Sequence, residues 1–209
     1  MFRFDRRLRA VLDEVRCSVL ADIGCDHGKI AVGALLEGRA SAVLAVDVSA
    51  KSLQKTVALA TEYKVTDRVR PIVGDGVLPV KDYAPDCVVI AGMGGNEIVK
   101  ILHDADYPAR YILVPHQDAD LVRRYLVPRF AVVKDYIVAS GNKFYPVIVA
   151  QKGASRYDAA ALWFGRNDPP SEDYDEMVRL RKAALQPIVE GSPRVHPRLK
   201  EELEVFKQL

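Results

Sequence analysis

Val19-Leu20-Ala21-Asp22-Ile23-Gly24-Cys25-Asp26-His27-Gly28 is the stretch on which the fold turns. A short apolar run ends in a loop with two glycines, and a helical pattern begins directly after it at Lys29. Strand, glycine loop and helix in that order open a βαβ unit. The glycines let the backbone turn tightly and approach a ligand at the C-terminal end of the strand, where doubly wound sheets bind nucleotides.

Working outward, four more short runs rich in Val and Ile follow: Val43 to Asp47, Val69 to Val73, Cys87 to Ala91 and Tyr111 to Val114. Uninterrupted apolar runs of this length suit strands covered on both faces. Amphipathic stretches such as Ser49 to Lys64 and Asn96 to His103 lie between them, which predicts a parallel α/β sheet. The rhythm changes at Ala131 to Ser140 and Phe144 to Gln151, separated only by Gly141, Asn142 and Lys143. So short a link joins antiparallel neighbours. Five parallel strands closed by a terminal hairpin is the Rossmann-like topology of class I methyltransferases, whereas nicotinamide-binding domains continue with parallel strands. Beyond Gly153 the pattern becomes helical: Glu172 to Glu190 and the spacing of Leu199, Leu203 and Phe206 predict a small helical hairpin, broken at Gly191, Ser192 and Pro193. Pro187 is expected to kink the first of these helices or end it early. The division is a domain over residues 1–153 and a coiled-coil-like extension over 154–209.

A chain of 209 residues, 49% hydrophobic, supports one well-buried α/β core with a small appendage. No stretch approaches the roughly 20 apolar residues of a membrane helix. The N-terminus, with Arg3, Arg6, Arg7 and Arg9, has no signal-peptide centre, so a cytoplasmic protein without membrane partners is expected. Cys17, Cys25 and Cys87 are too few and too scattered for a disulfide framework or a zinc pattern, and are read as buried thiols. The net charge is +2, and residues 155–209 hold nine Lys/Arg against ten Asp/Glu, so any grip on phosphate belongs to the body. The candidates are the Arg-rich first helix and the group Arg123, Arg124 and Arg129.

The loops at the strand ends carry the chemistry. Asp26 stands where the dinucleotide fingerprint G-x-G-x-x-G has its second glycine. A carboxylate there repels pyrophosphate, whereas S-adenosylmethionine has no phosphate and carries a sulfonium and an ammonium; the substitution favours the methyl donor. Asp47 ends the second strand, where an acid accepts ribose hydroxyls, and Gly74-Asp75-Gly76 offers an acceptor for the adenine amine. Ala91-Gly92-Met93-Gly94-Gly95-Asn96 is an open backbone suited to admitting a flat base, and His116, after Val114-Pro115, ends the fifth strand on the same edge.

These residues resemble the bacterial tRNA (adenine(22)-N1)-methyltransferases, the TrmK family. The likeness rests on Arg7-Leu8, the loop from Ala21 to Gly28, Asp47-Val48, Gly74-Asp75-Gly76 and Ile90-Ala91-Gly92-Met93-Gly94-Gly95 with Ile98 and Leu102, over roughly the first 150 residues. It implies methyl transfer from S-adenosylmethionine to N1 of an adenine in the D-loop of tRNA, with no DNA partner. Three features depart from the family pattern: Lys29 stands in place of a Tyr, Val114-Pro115-His116 in place of Gln-Pro-Asn, and the C-terminal arm is short and slightly acidic. The residues expected around the cofactor are Asp22, Gly24, Asp26, His27, Gly28, Asp47, Val48, Asp75, Gly76, Ala91, Gly92, Met93 and Gly94. Asp26, Met93 and Asn96 are the candidates for catalysis, and Arg7, Lys29, His116, Arg123 and Arg124 for substrate. Methylation of another RNA base or of a small molecule is the alternative, followed by a nucleotide-dependent oxidoreductase and a non-catalytic RNA-binding module.

Overall fold

In the computed structural model, which describes residues 3–105, 107–191 and 194–207, the five apolar runs are strands β1 (Val19–Ile23), β2 (Ala42–Asp47), β3 (Val69–Val73), β4 (Cys87–Ala91) and β5 (Arg110–Val114). The hairpin is β6 (Phe130–Ser140) and β7 (Lys143–Lys152). Among the described residues they form one sheet in the order β3-β2-β1-β4-β5-β7-β6, parallel except that β7 is antiparallel to both β5 and β6. The centre of the sheet is buried on both faces, which is why β1, β2, β4 and β5 read as continuous apolar runs. The edge strand β3 is largely exposed and carries Arg70 and Pro71, residues that discourage pairing with another strand.

Helices α1 (Arg6–Glu14), α2 (Lys29–Leu36) and α3 (Ala50–Glu62) cover one face, where Leu12, Ile30, Leu35 and Leu53 meet Leu20, Val43 and Val89. On the other face α4 (Gly95–His103) and α5 (Ala119–Leu126) pack Ile98, Leu102, Val122 and Leu126 against Ile23, Ile90 and Leu113. Because α2 is sandwiched between the sheet, α1 and α3, six of its eight residues are buried. It therefore shows no polar face to mark it as amphipathic.

Among the described residues the extension holds three helices rather than the two expected: α6 (Ala159–Phe164), α7 (Glu172–Gly191) and α8 (Pro197–Phe206). The additional one is α6, a single Ala-rich turn and a half whose start is capped by Asp158 Oδ1 accepting from Ala161 N at 2.8 Å. Its Trp163 and Phe164 form a small separate core with Leu185, Leu203, Val205 and Phe206, and Phe164 stacks on Phe206 with ring centroids 4.2 Å apart. Pro187 does not end α7, which continues to Gly191. Leu185 and Val189 on either side of it pack into this core, and that burial offsets the lost backbone bond. Ser192 and Pro193, where the break is expected, lie outside the described residues.

Candidate functional site

Strand order reverses between β1 and β4, and a crevice opens at the carboxyl ends of those two strands. A cavity of about 360 Å³ occupies it. Asp22, Gly24, Cys25, Asp26 and His27 come from the β1 end, Lys29 and Ile30 from α2, Ala91 and Gly92 from the β4 end, and His116 from the β5 end. Asp5, Arg7, Leu8 and Val11 roof it from the first helix.

The acidic lip is built by backbone hydrogen bonds. Asp22 is buried at the end of β1, and its Oδ2 accepts from Ala31 N at 3.2 Å in the first turn of α2. Burial is the main reason its carboxyl rises to about 7; the Ala31 N–H lowers it and the neighbouring charge of Asp47 raises it further. Asp47 receives Asp26 N at 3.2 Å on Oδ2 and Ser49 N at 2.8 Å on Oδ1, so both oxygens are oriented while each keeps lone pairs free. Cys25 points into the core toward Thr56, where burial pushes its thiol up to about 12 and leaves it inert. Beside the acids, Val48 and Val73 at the ends of β2 and β3, and Leu78 in the turn that follows β3, are exposed apolar side chains. A nucleoside laid across this edge would meet acids for its hydroxyls and apolar surface for its faces.

The opposite lip is a pair of interlocked loops. Gly92 N donates to Val114 O at 3.2 Å, His116 N to Met93 O at 2.9 Å and Gly95 N to Gln117 O at 3.0 Å, so the loop after β4 and the loop after β5 are tied together. Glycine is required at 95, because a Cβ there would run into the Asp118 carbonyl. Arg198 on α8 clasps this pair from outside, with Nη2 2.8 Å from Asp118 and 2.5 Å from Asp120. Met93 lies across to Gly24 on the first loop. His116 makes a 3.1 Å contact through Nε2 with Arg7 Nη1, and the Arg7 guanidinium sits 5.2 Å from the centre of the Tyr145 ring.

The family model for a methyltransferase domain matches residues 4–148 of the chain. The chain belongs to the methyltransferase-domain family. Over 171 residues it is 29% identical to the tRNA (adenine(22)-N(1))-methyltransferase of Bacillus subtilis, covering 78% of this chain and 72% of that protein. The structure is similar to that of Streptococcus pneumoniae Sp1610, a putative tRNA (m1A22) methyltransferase, with a TM-score of 0.88, 21% identity and coverage of 99% of both chains. It is also similar to M. capricolum TrmK, solved with S-adenosyl-homocysteine, with a TM-score of 0.85, 19% identity and coverage of 100% and 97%. The likeness to these two structures extends through the C-terminal arm, beyond the part of the chain in which the motifs lie.

Within this methyltransferase domain, Asp22, Gly24, Asp26, His27, Lys29, Ala91, Gly92, Arg7 and His116 meet around one cavity. Asp47, Val48, Asp75 and Gly76 continue the same sheet edge beyond it, at the ends of β2 and β3. Gly28 caps α2 in the left-handed region, and its missing side chain lets Thr56 of α3 approach. Of the three catalytic candidates, Met93 reaches across to Gly24. The Asp26 carboxylate turns toward α3, 3.6 Å from Lys55 and 3.4 Å from His27, while Asn96 is exposed on α4 next to Gly94 and Met93. Arg123 is a correction: it is 1% exposed, forms a two-pronged ion pair with Asp135 at 2.9 and 3.0 Å, and donates to Trp163 O at 3.0 Å, so it cannot reach a substrate. Arg124 is half-exposed and pairs with Glu201 at 3.0 Å. Of the first helix, Arg6 pairs with Asp173 and Arg9 with Glu37, which leaves Arg7 turned to the cavity. Tyr145, which meets both Arg7 and His116, was not singled out in the sequence, and neither were Asp5, Val11 and Ile30, which line the cavity.

Proposed function

We propose that the protein transfers a methyl group from S-adenosylmethionine to N1 of an adenine in the D-loop of tRNA. The observation that carries the reading is the cavity at the strand-order reversal, where a buried acid, an acidic loop in place of a pyrophosphate-binding one, and a glycine-rich loop face one another. Asp22 is placed to receive a cationic ammonium, Asp47 the ribose hydroxyls and Asp75 the adenine amine, with Val48 and Val73 against the base. Gly24, Asp26, His27, Gly28, Gly76, Ala91, Gly92, Met93 and Gly94 form the backbone cradle around them. When bound, S-adenosylmethionine supplies a methyl group activated by its sulfonium.

Adenine N1 has its own lone pair, so the chain's task is alignment and exclusion of water rather than removal of a proton. Gly92 and the glycines after it leave room for a flat ring beside the methyl-donor site, and Met93 closes the gap toward Gly24. The similar proteins from B. subtilis and S. pneumoniae, a tRNA (adenine(22)-N(1))-methyltransferase and a putative tRNA (m1A22) methyltransferase, support tRNA as the substrate and N1 of adenine as the acceptor, and the M. capricolum protein solved with S-adenosyl-homocysteine supports the methyl donor. Incubation with tritiated S-adenosylmethionine and total tRNA, followed by digestion and chromatography, is expected to give labelled 1-methyladenosine. Label in N6-methyladenosine, guanosine or cytidine, or none in tRNA, overturns the assignment.

A further inference from the structure

A second cavity, of about 570 Å³, adjoins the first. It lies between the loop after β5, the tip of the β6–β7 hairpin and the arm, and Phe144, Tyr145, Trp163 and Met177 give it aromatic and apolar walls. His116 lines both cavities. An ideal Cβ on Gly92 would be 3.8 Å from both Cε1 and Nε2 of its ring, so the imidazole stands at the doorway beside the glycine-rich loop. The ring is fixed on three sides: its backbone N–H is held by Met93 O, its edge faces Tyr145 at 5.8 Å between centroids, and Nε2 meets Arg7 Nη1 at 3.1 Å.

A guanidinium can only donate, so Nε2 must accept, and the ring proton belongs on Nδ1. Partial burial also opposes a positive charge on this ring, and Arg7 from α1 and Lys143 from the hairpin add to it. His116 Nδ1 has no hydrogen-bond partner among the described residues. We propose, on the reading of the protein as an adenine methyltransferase, that His116 orients the target purine: as the neutral Nδ1–H tautomer locked by Arg7, it donates a hydrogen bond to a ring nitrogen of the adenine, N3 or N7, while N1 faces the methyl group. A neutral donor suits this position because the base becomes cationic as the methyl group is transferred, and an imidazolium there would oppose that charge.

The test has two arms. Nitrogen-15 spectra of the His116 ring in the free protein, assigned by comparison with His116→Asn, are expected to show one neutral Nδ1-protonated form at neutral pH, and Arg7→Ala to admit the Nε2-protonated form. In the second arm, tRNA carrying 3-deaza- or 7-deaza-adenosine at the methylated position is given to the wild type and to His116→Ala. His116→Ala is expected to lower kcat roughly tenfold on unmodified tRNA with unchanged affinity for S-adenosylhomocysteine, and to lower it no further on whichever analogue lacks the bonded nitrogen. An Nε2-protonated or cationic ring in the wild type overturns the proposal, as does equal sensitivity of both proteins to both analogues. Wild-type protein that keeps the tautomer yet methylates no adenine instead overturns the underlying functional reading, and the role of His116 with it.

Discussion

Asp22 is a buried acid, and on the proposed assignment to the ammonium of the methyl donor its protonation couples ligand binding to pH. Its carboxyl is raised from an ordinary 3.8 to about 7, so between those values the folded chain holds a proton that the unfolded chain has released. The resulting contribution to stability is present below the lower value and is lost as pH rises through the upper one. A bound ammonium needs the ionised form. Affinity for S-adenosylhomocysteine, measured by calorimetry, is therefore expected to rise between roughly pH 6 and 7.5, by up to tenfold per unit on the acid side, and Asp22→Asn to flatten the profile. A pH-independent wild type would contradict the assignment of Asp22 to the ammonium. Asp47→Ala removes the ribose acceptors and also frees Asp26 N and Ser49 N, so binding should weaken by about 1 to 3 kcal/mol in the same titration.

At the scale of elements, the strands were legible because each is a short apolar run between turn residues, and every observed strand lies within a residue of the expected one. The hairpin was legible from the length of its link. What the sequence hides is pairing across the chain. Arg123 sits beside Arg124 and near Arg129 in the sequence and looks like part of a basic face, but its partner Asp135 is on β6, and Trp163 O comes from α6. Nothing local distinguishes a buried Arg from an exposed one. The pair joins the catalytic body to the arm, and Gly165 passes so close that a Cβ there would lie 2.8 Å from both side chains. Arg123→Ala leaves the Asp135 charge buried, so urea denaturation should report a loss of about 3 to 5 kcal/mol. Arg124→Ala, at a half-exposed pair, should cost under about 1 kcal/mol. The Arg198 clasp is likewise invisible in sequence. Arg198→Ala is expected to lower kcat on tRNA more than it weakens S-adenosylhomocysteine binding, since the clasp holds Asp118 and Asp120 after β5 directly and the cofactor-side loop after β4 only through it; a larger loss of cofactor binding would show that both lips depend on the arm.

Across the whole molecule the charge is nearly balanced, so a large polyanion must be held by local patches rather than by the overall field. Lys29 and Lys143 are exposed beside the two cavities and Arg7 is half-buried between them. Affinity for tRNA should fall with rising salt, and Lys29→Ala or Lys143→Ala should make that dependence shallower. A salt slope unchanged in both variants would place the phosphate contacts elsewhere. The arm is bound to the body by Arg123, Arg198, Ser155 and the backbone pairing of Asp135 with Asp168, so it acts as a docked part of one unit.

The position of β7 between β5 and β6 also bears on how the chain is made. Growing from its N-terminus, the nascent protein completes β5 long before the strand that will cover its open edge, and β6 has no neighbour in the sheet until β7 arrives. Through that interval Tyr111, Ile112 and Leu113 present an unpaired apolar margin. The window closes only when Lys152 has been added, which places the greatest hazard of misassembly late in translation, just before the arm is synthesised.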